Sequence, residues 1–184
     1  MRQPSVFLLV VLQATVSAAS LVVEIVAGRM LAPYVGMSLY TWTAIIAVVL
    51  AGFSAGHWWR RRLTQRANAD ALRRTVWILL ADALSTAGAT MLLSMTAGPI
   101  LAVVEHPVWS IVAIATAVFF LPSLFAGVPA PVLTQIAITD RPRSGRALGA
   151  LFAAGAIGAI VGTLLAGFVF ISWLGSTGTL AVVT

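Results

Sequence analysis

The sequence of 184 residues is 60% hydrophobic and only 9% charged, and its mean hydropathy is strongly positive. This composition excludes an ordinary water-soluble globular domain and predicts a membrane protein whose first partner is the lipid bilayer. A net charge of +6 would indicate nucleic-acid binding in a soluble protein, but in a membrane protein the positions of the charges matter more than their sum, so no nucleic-acid partner is expected. The chain has no cysteine, which excludes disulfides and thiol chemistry.

Five apolar runs are long enough to cross a bilayer, which takes about 20 helical residues. We therefore predict an all-α fold, a polytopic transmembrane helix bundle forming one domain over 1–184, with spanning helices at about 5–28, 41–59, 75–97, 109–136 and 147–172. Residues 177–184, TGTLAVVT, resemble the start of a sixth helix but are too few to span. They either continue in a longer chain or rest against the outer surface.

The first apolar run has two interpretations. MRQPSVFLLVVLQATVSA has a basic start, an apolar middle and small residues near its end, as a cleavable signal peptide has. The apolar run continues past Ala18 to Ala27, however, which is long enough to span. A first spanning helix is therefore favoured.

Glu24 and Arg29 stand where the first predicted helix gives way to the predicted outer loop 29–40. An ion pair in a low-dielectric environment can hold a conformation without binding a ligand. We therefore favour a structural pair that shapes this loop, with Pro33 and Gly36 setting its turns. The alternative is a charged gate or a ligand contact, since ionisable groups in membrane helices are functional candidates by default.

Small residues four positions apart mark one face of the second predicted helix, at Gly52 and Gly56. The fifth predicted helix has the same spacing at Ala154, Gly158, Gly162 and Ala166. This spacing lets helix backbones approach closely within a membrane. Packing inside the bundle is favoured over a homodimer interface.

Asp82 is the second intramembrane carboxylate and lies about two turns into the third predicted helix. With Ser85 and Thr86 nearby, it either binds a proton or cation or is hydrogen-bonded to a neighbouring helix. Glu24 and Asp82 are predicted at different depths, so we expect neither a shared metal site nor a carboxylate dyad. No motif indicates a catalytic residue, a bound metal or a cofactor.

Three prolines, Pro122, Pro129 and Pro131, interrupt the fourth predicted helix. Each removes a backbone donor and disturbs the preceding turn. Broken membrane helices line cavities or substrate paths in some proteins and are simple kinks in others, and the sequence leaves both possibilities open. The proline-bounded segment 99–108 is too short to span and is predicted to lie in the outer interface.

All 11 basic residues are arginines, and their distribution predicts the orientation of the chain. Apart from Arg29 they lie at the N-terminus or in two alternate loops, at Arg2, Arg60, Arg61, Arg62, Arg66, Arg73, Arg74, Arg141, Arg143 and Arg146. By the positive-inside rule these segments, and therefore the N-terminus, are cytoplasmic. Tryptophans fall at the predicted helix ends, where indoles prefer the membrane interface.

Two runs resemble the membrane region of bacterial spermidine synthase-like proteins, in which a transporter-like bundle is fused to an aminopropyltransferase domain. They are EIVAGRMLAPYVGMSLYTWTAIIAVVLAGFSAG and RPRSGRALGALFAAGAIGAIVGTLLAGFVFISWLG. The first carries Glu24, Arg29, Pro33, Gly36, Ser38 and Trp42 at the spacing of that family. The resemblance implies a bundle like half of a major facilitator transporter, in a bacterial inner membrane.

This chain departs from the family pattern in two respects. Its loop HWWRRRLTQR lacks the glycine and aspartate of the transporter motif. The aminopropyltransferase domain is missing, so the resemblance implies no enzymatic activity for this chain.

Two functions are therefore expected. The first is a noncatalytic membrane module that anchors or serves a cytoplasmic aminopropyltransferase-like partner through its arginine-rich face. The alternative is a small transporter or transporter half, paired with itself or another chain, which moves a cationic or polar solute such as a polyamine past Asp82 and the broken fourth helix. Flux that Asp82→Asn abolishes would favour the transporter, whereas a bound partner and indifference to this change would favour the anchor.

Overall fold

The computed structural model describes residues 5–63, 68–138 and 144–184, and within these ranges the chain is helical and contains no strand. The helices are α1 (Val6–Val35), α2 (Leu39–Leu63), α3 (Asn68–Ala87), α4 (Ala89–Val103), α5 (Pro107–Ala126), α6 (Pro129–Ile138), α7 (Ser144–Leu165) and α8 (Ile171–Val183). A π-helical turn, Ala166–Phe170, joins α7 to α8. The predicted all-α fold is confirmed.

Four helical stretches of the described chain are long and apolar enough to cross a membrane: Val6–Val35, Leu39–Trp59, Pro107–Ala137 and Gly145–Val183. A fifth span forms if α3 and α4 count as one, since together they pass the same test although they are bent by 49°. The predicted polytopic transmembrane bundle is thus confirmed, with four or five spans.

The first helix is longer than predicted. It continues through Arg29 and Pro33 to Val35, so the predicted loop 29–40 is wrong. Pro33 is tolerated near the helix end, where only one backbone hydrogen bond is lost. Gly36 then ends the helix with φ 75°, a conformation that favours glycine.

A tight connection, residues 36–38, leads from α1 to α2. The Ser38 Oγ accepts a hydrogen bond from the backbone N–H of Thr41 at 3.2 Å. The Thr41 hydroxyl donates to the carbonyl oxygen of Gly36 at 3.0 Å, and Thr41 is fully buried. Ser38 therefore acts as an N-terminal cap of α2, and the turn is held by side chains rather than by a long loop.

α1 and α7 pack together along a seam of small residues. Gly158 lies against Ala14 and Gly162 against Ala18, so closely that a Cβ at either glycine would overlap the facing carbonyl oxygen. The residue numbers increase together along both helices, so α1 and α7 run parallel. The small-residue face of α7 is therefore used for packing inside the bundle.

α2 and α5 form a second parallel pair. A Cβ at Gly52 would lie 2.5 Å from the Cβ of Ser123, and one at Gly56 would overlap the carbonyl oxygen of Leu124. Further along, the rings of Trp59 and Phe125 are tilted against each other with centroids 6.3 Å apart. Parallel pairing of the first with the last span, and of the second with the fourth, agrees with five alternating crossings in which α3 and α4 form the third.

The proline-containing fourth span is broken at a point where it lies close to α2. Pro122 lies inside α5, and α6 begins at Pro129 with Pro131 in its first turn. Between the two helices, a Cβ at Gly127 would lie 2.7 Å from the Cα and carbonyl oxygen of Phe53. The break thus coincides with a close backbone contact.

Two further predictions about segments are wrong. Residues 99–103 belong to α4, so only a short connection around Glu105 and His106 remains of the predicted interfacial segment 99–108. Residues 177–183 belong to α8, in which Gly175 (φ 68°, ψ −178°) interrupts the helical backbone. Beyond Gly175 the chain returns to the bundle, where Leu180 packs in the same apolar cluster as Ala166. Thr179 and Leu180, both buried, therefore belong to the packed bundle.

Candidate functional site

A cavity of about 250 Å³ lies within the bundle, between α1, α2, α3, α5 and the end of α8. Along α1 its lining residues extend from Leu12 to Ala27, which are about 22 Å apart along the helix axis. The hydrocarbon core of a bilayer is about 30 Å thick. The cavity therefore extends through much of the depth of the bundle.

Glu24 lines this cavity. Because α1 continues to Val35, Glu24 lies about 16 Å from the helix end, deeper in the bundle than predicted. Arg29 is five residues further on the same helix, about 140° around its axis, whereas residues that meet on a helix are three or four apart. Arg29 is exposed, and within the described ranges Glu24 forms no ion pair with it. The predicted Glu24–Arg29 pair is therefore not formed.

Asp82 lines the same cavity from α3. One turn further along, Thr86 is buried and is the side-chain hydrogen-bond partner of the Asp82 carboxylate. The Ser85 hydroxyl donates instead to the backbone carbonyl oxygen of Asp82, at 2.9 Å. Asp82 is therefore hydrogen-bonded within its own helix while it faces the cavity.

Glu24 and Asp82 thus belong to one site, although they come from helices far apart in the sequence. Glu24 lies deeper than predicted because α1 is longer, and the prediction that the two carboxylates form neither a shared metal site nor a dyad stays a prediction. Of the described residues that line the cavity, none is basic. Nor do the described residues contain a group of three or more histidines or carboxylates that could hold a metal ion.

Hydroxyl groups add polar atoms to the α1 wall. The Thr15 Oγ1 donates to the carbonyl oxygen of Val11 at 3.0 Å, and the Ser20 Oγ donates to that of Val16 at 2.9 Å. Sequence reasoning missed both residues. The available signal for Ser20 was its position four residues before Glu24, since residues i and i+4 share one face of a helix. Thr15 has no such spacing with Glu24.

Apolar side chains form the rest of the lining, including Phe53 of α2 and Phe119 of α5. Pro122 and Ser123, beside the break in the fourth span, also line the cavity. Of the three prolines of this span, Pro122 lines the cavity, whereas Pro129 and Pro131 do not belong to its lining.

No family model, curated protein or solved structure matches this chain. The resemblance to spermidine synthase-like proteins, and to half of a major facilitator transporter, therefore rests only on the sequence runs quoted above.

The structure places the other family-like residues away from the cavity. Pro33 lies in the last turn of α1, and Gly36 and Ser38 lie in the α1–α2 connection. Trp42 packs on α1, where a Cβ at Gly28 would lie 2.7 Å from the Cη2 atom of its indole. Arg66, Arg141 and Arg143 lie outside the described residues, whereas Arg60, Arg61 and Arg62 belong to the end of α2 and Arg73 and Arg74 to α3.

Proposed function

We propose that this chain is a small transporter, or a transporter half, that binds a cationic solute in the cavity between α1, α3 and α5. The observation that supports this proposal best is that Glu24 and Asp82 line one cavity whose described lining residues include no basic side chain. In a low-dielectric interior two carboxylates attract a cation and repel an anion strongly. A polyamine is one solute of this class.

The shape of the cavity supports movement of the solute in addition to its binding. The lining of α1 from Leu12 to Ala27 extends about 22 Å along the helix, and the end of α5, up to Ala126 beside the break, forms part of the wall. Irregular backbone at membrane depth is tolerated where it lines such a cavity.

The anchoring function predicted from the sequence depends on a different surface. This surface consists mainly of the arginine-rich segments. The side chains of Arg60, Arg61 and Arg62 and the whole of Arg66 lie outside the described part of the chain. Binding of a soluble aminopropyltransferase-like partner is therefore a hypothesis that rests on the sequence alone.

Uptake by proteoliposomes tests the transport proposal. We expect purified protein to take up radiolabelled spermidine or putrescine above the level of empty liposomes, and Glu24→Gln and Asp82→Asn each to reduce the initial rate at least roughly tenfold, the size expected for loss of one charged hydrogen bond. Glu105→Gln is the matched control, since Glu105 is exposed in the α4–α5 connection. Uptake that is unchanged in Asp82→Asn would contradict the proposal, and copurification of a stoichiometric soluble partner would then favour the anchor.

We also propose that the arginine-rich loops face the cytoplasm of a bacterial cell. The cysteine-free sequence permits single-cysteine labelling with a membrane-impermeant maleimide. Met37→Cys, at an exposed position between α1 and α2, should react in intact spheroplasts. Gly145→Cys, exposed at the start of α7, should react only after permeabilisation. The reverse pattern would overturn the orientation.

A further inference from the structure

The α1 wall of the cavity offers hydrogen-bond acceptors. Thr15 and Ser20 have each donated their hydroxyl hydrogen to a backbone carbonyl one turn earlier. A hydroxyl oxygen that donates in this way keeps lone pairs with which it can accept. An ionised carboxylate accepts only. A solute at this wall therefore meets acceptors and is selected for its donors.

Glu24 is the carboxylate left open to a solute. Asp82 already has the Thr86 hydroxyl as a partner. Glu24 makes no hydrogen bond or ion pair with any residue that the structure describes. An unpaired carboxylate inside a membrane protein is costly. A positively charged hydrogen-bond donor that binds at Glu24 offsets the free-energy cost of this unpaired carboxylate.

The remaining lining residues of the cavity are mainly apolar and favour an organic solute over a dehydrated metal ion. The cavity of about 250 Å³ is several times the volume of a water molecule, which occupies about 30 Å³ in the liquid. Phe53 lines it from α2, and an aromatic ring also attracts a cation. Glu24 and Asp82 are the only carboxylates among the described lining residues, and a dehydrated metal ion needs six or more oxygen ligands if it is as hard as Ca²⁺ or Mg²⁺.

We infer that the solute is a protonated amine with an apolar body, whose N–H groups donate to Glu24 and to the Ser20 hydroxyl while its carbon atoms lie against Phe53 and the other apolar lining residues. This inference deepens the proposed transport function and rests on it. Its specific content is that the solute needs N–H donors, not only a positive charge.

Two matched cations separate these requirements. tert-Butylammonium and tetramethylammonium have the same charge, nearly the same shape and the same number of heavy atoms, but only the first has N–H donors. We would measure their affinities for the purified wild-type protein in detergent from the rise in unfolding temperature with concentration. We expect tetramethylammonium to bind at least roughly tenfold more weakly, since hydrogen bonds to a charged group are worth about 1.5–3 kcal/mol.

The apolar body is tested with linear amines. From methylammonium to n-butylammonium, affinity should rise roughly fourfold for each buried methylene. Equal binding of tert-butylammonium and tetramethylammonium would overturn the donor requirement, and a flat linear series would overturn the apolar body. Binding of Na⁺ or K⁺ without any ammonium ion would overturn the inference but leave cation transport standing. Absence of binding by every cation would overturn both.

Variants then locate the site. Glu24→Gln should lower the affinity for tert-butylammonium more than Asp82→Asn does, because Glu24 has no partner among the described residues. Ser20→Ala should lower the affinity for tert-butylammonium but not that for tetramethylammonium, since the substitution removes a hydrogen-bond acceptor but no charge. Glu105→Gln is the control, and equal affinities of Glu24→Gln and wild type would contradict the assignment. The wild-type measurements decide the solute class even if a variant fails to fold.

Discussion

The indole of Trp42 lies on Gly28, so closely that a Cβ at Gly28 would be 2.7 Å from its Cη2 atom and 2.9 Å from its Cζ2 atom. This contact fixes the beginning of α2 against α1, next to the short connection at residues 36–38. Only Trp42 contributes a side chain to this contact, so a smaller side chain at position 42 can make room for a methyl group at position 28.

We predict that Gly28→Ala lowers the free energy of unfolding by about 1–3 kcal/mol, because the added methyl overpacks this contact. Trp42→Leu should be less harmful in the Gly28→Ala background than alone, since the smaller side chain makes room for the methyl. Unfolding in increasing SDS, measured by circular dichroism for both single variants and the double variant, gives the coupling energy. Additive effects would show that the contact is not the cause.

Gly158 provides a contrast, because its neighbour is the backbone of Ala14. We predict that Gly158→Ala is destabilising by about 3 kcal/mol or more, since α1 and α7 must move apart along their seam. Gly149→Ala, in the same helix with no atom within 4 Å of its added Cβ, is the control and should be neutral or stabilising by up to about 1 kcal/mol. The same SDS titration compares them. Equal stability of the two variants would refute close packing at this seam.

Gly175 allows the chain to fold back into the bundle. Its φ of 68° with ψ −178° lies in a region that is essentially restricted to glycine. Gly175→Ala should cost about 1–3 kcal/mol and loosen the segment that contains Thr179 and Leu180, both buried. Hydrogen exchange of residues 176–184 should therefore become faster in this variant. Gly167→Ala, where the added Cβ meets no neighbour, should leave exchange in this segment unchanged, and similar rates in both variants would contradict the prediction.

Glu24 and Arg29 are expected to act independently. Because they lie on different faces of α1, a double-mutant cycle of Glu24→Gln with Arg29→Gln should give a coupling energy below about 0.5 kcal/mol. Arg29→Gln alone should change stability by no more than about 0.5 kcal/mol, as for other exposed positions. A coupling above about 1 kcal/mol, measured by SDS unfolding, would restore the ion pair that the sequence suggested.

The membrane-spanning segments were predictable because their length and hydropathy depend only on neighbouring residues. The sequence also indicates that Gly158 and Gly162 lie in a close contact with another helix. It does not indicate that the partner is α1, because a small-residue face is complementary to any helix backbone that can approach it.

The shared cavity was not predictable for a related reason. Arg29, Pro33 and Gly36 together look like a loop, but a membrane helix tolerates proline near its end, and a long arginine side chain can extend toward the interface. Placing the helix end too early put Glu24 near the outer end of α1, away from the cavity that it lines together with Asp82. The fold-back at Gly175 left no signal, since glycine is frequent in transmembrane helices.

The parallel seam between α1 and α7 has a consequence for biosynthesis. α1 precedes α7 by most of the chain, so Ala14 and Ala18 emerge from the ribosome long before Gly158 and Gly162 exist to cover them. Until then the groove on α1 is filled by lipid or held by the insertion machinery, and the cavity lacks the α8 part of its wall. Such long-range closure is slow compared with the pairing of adjacent helices. The seam, and with it the α8 part of the cavity wall, therefore forms only after α7 enters the membrane.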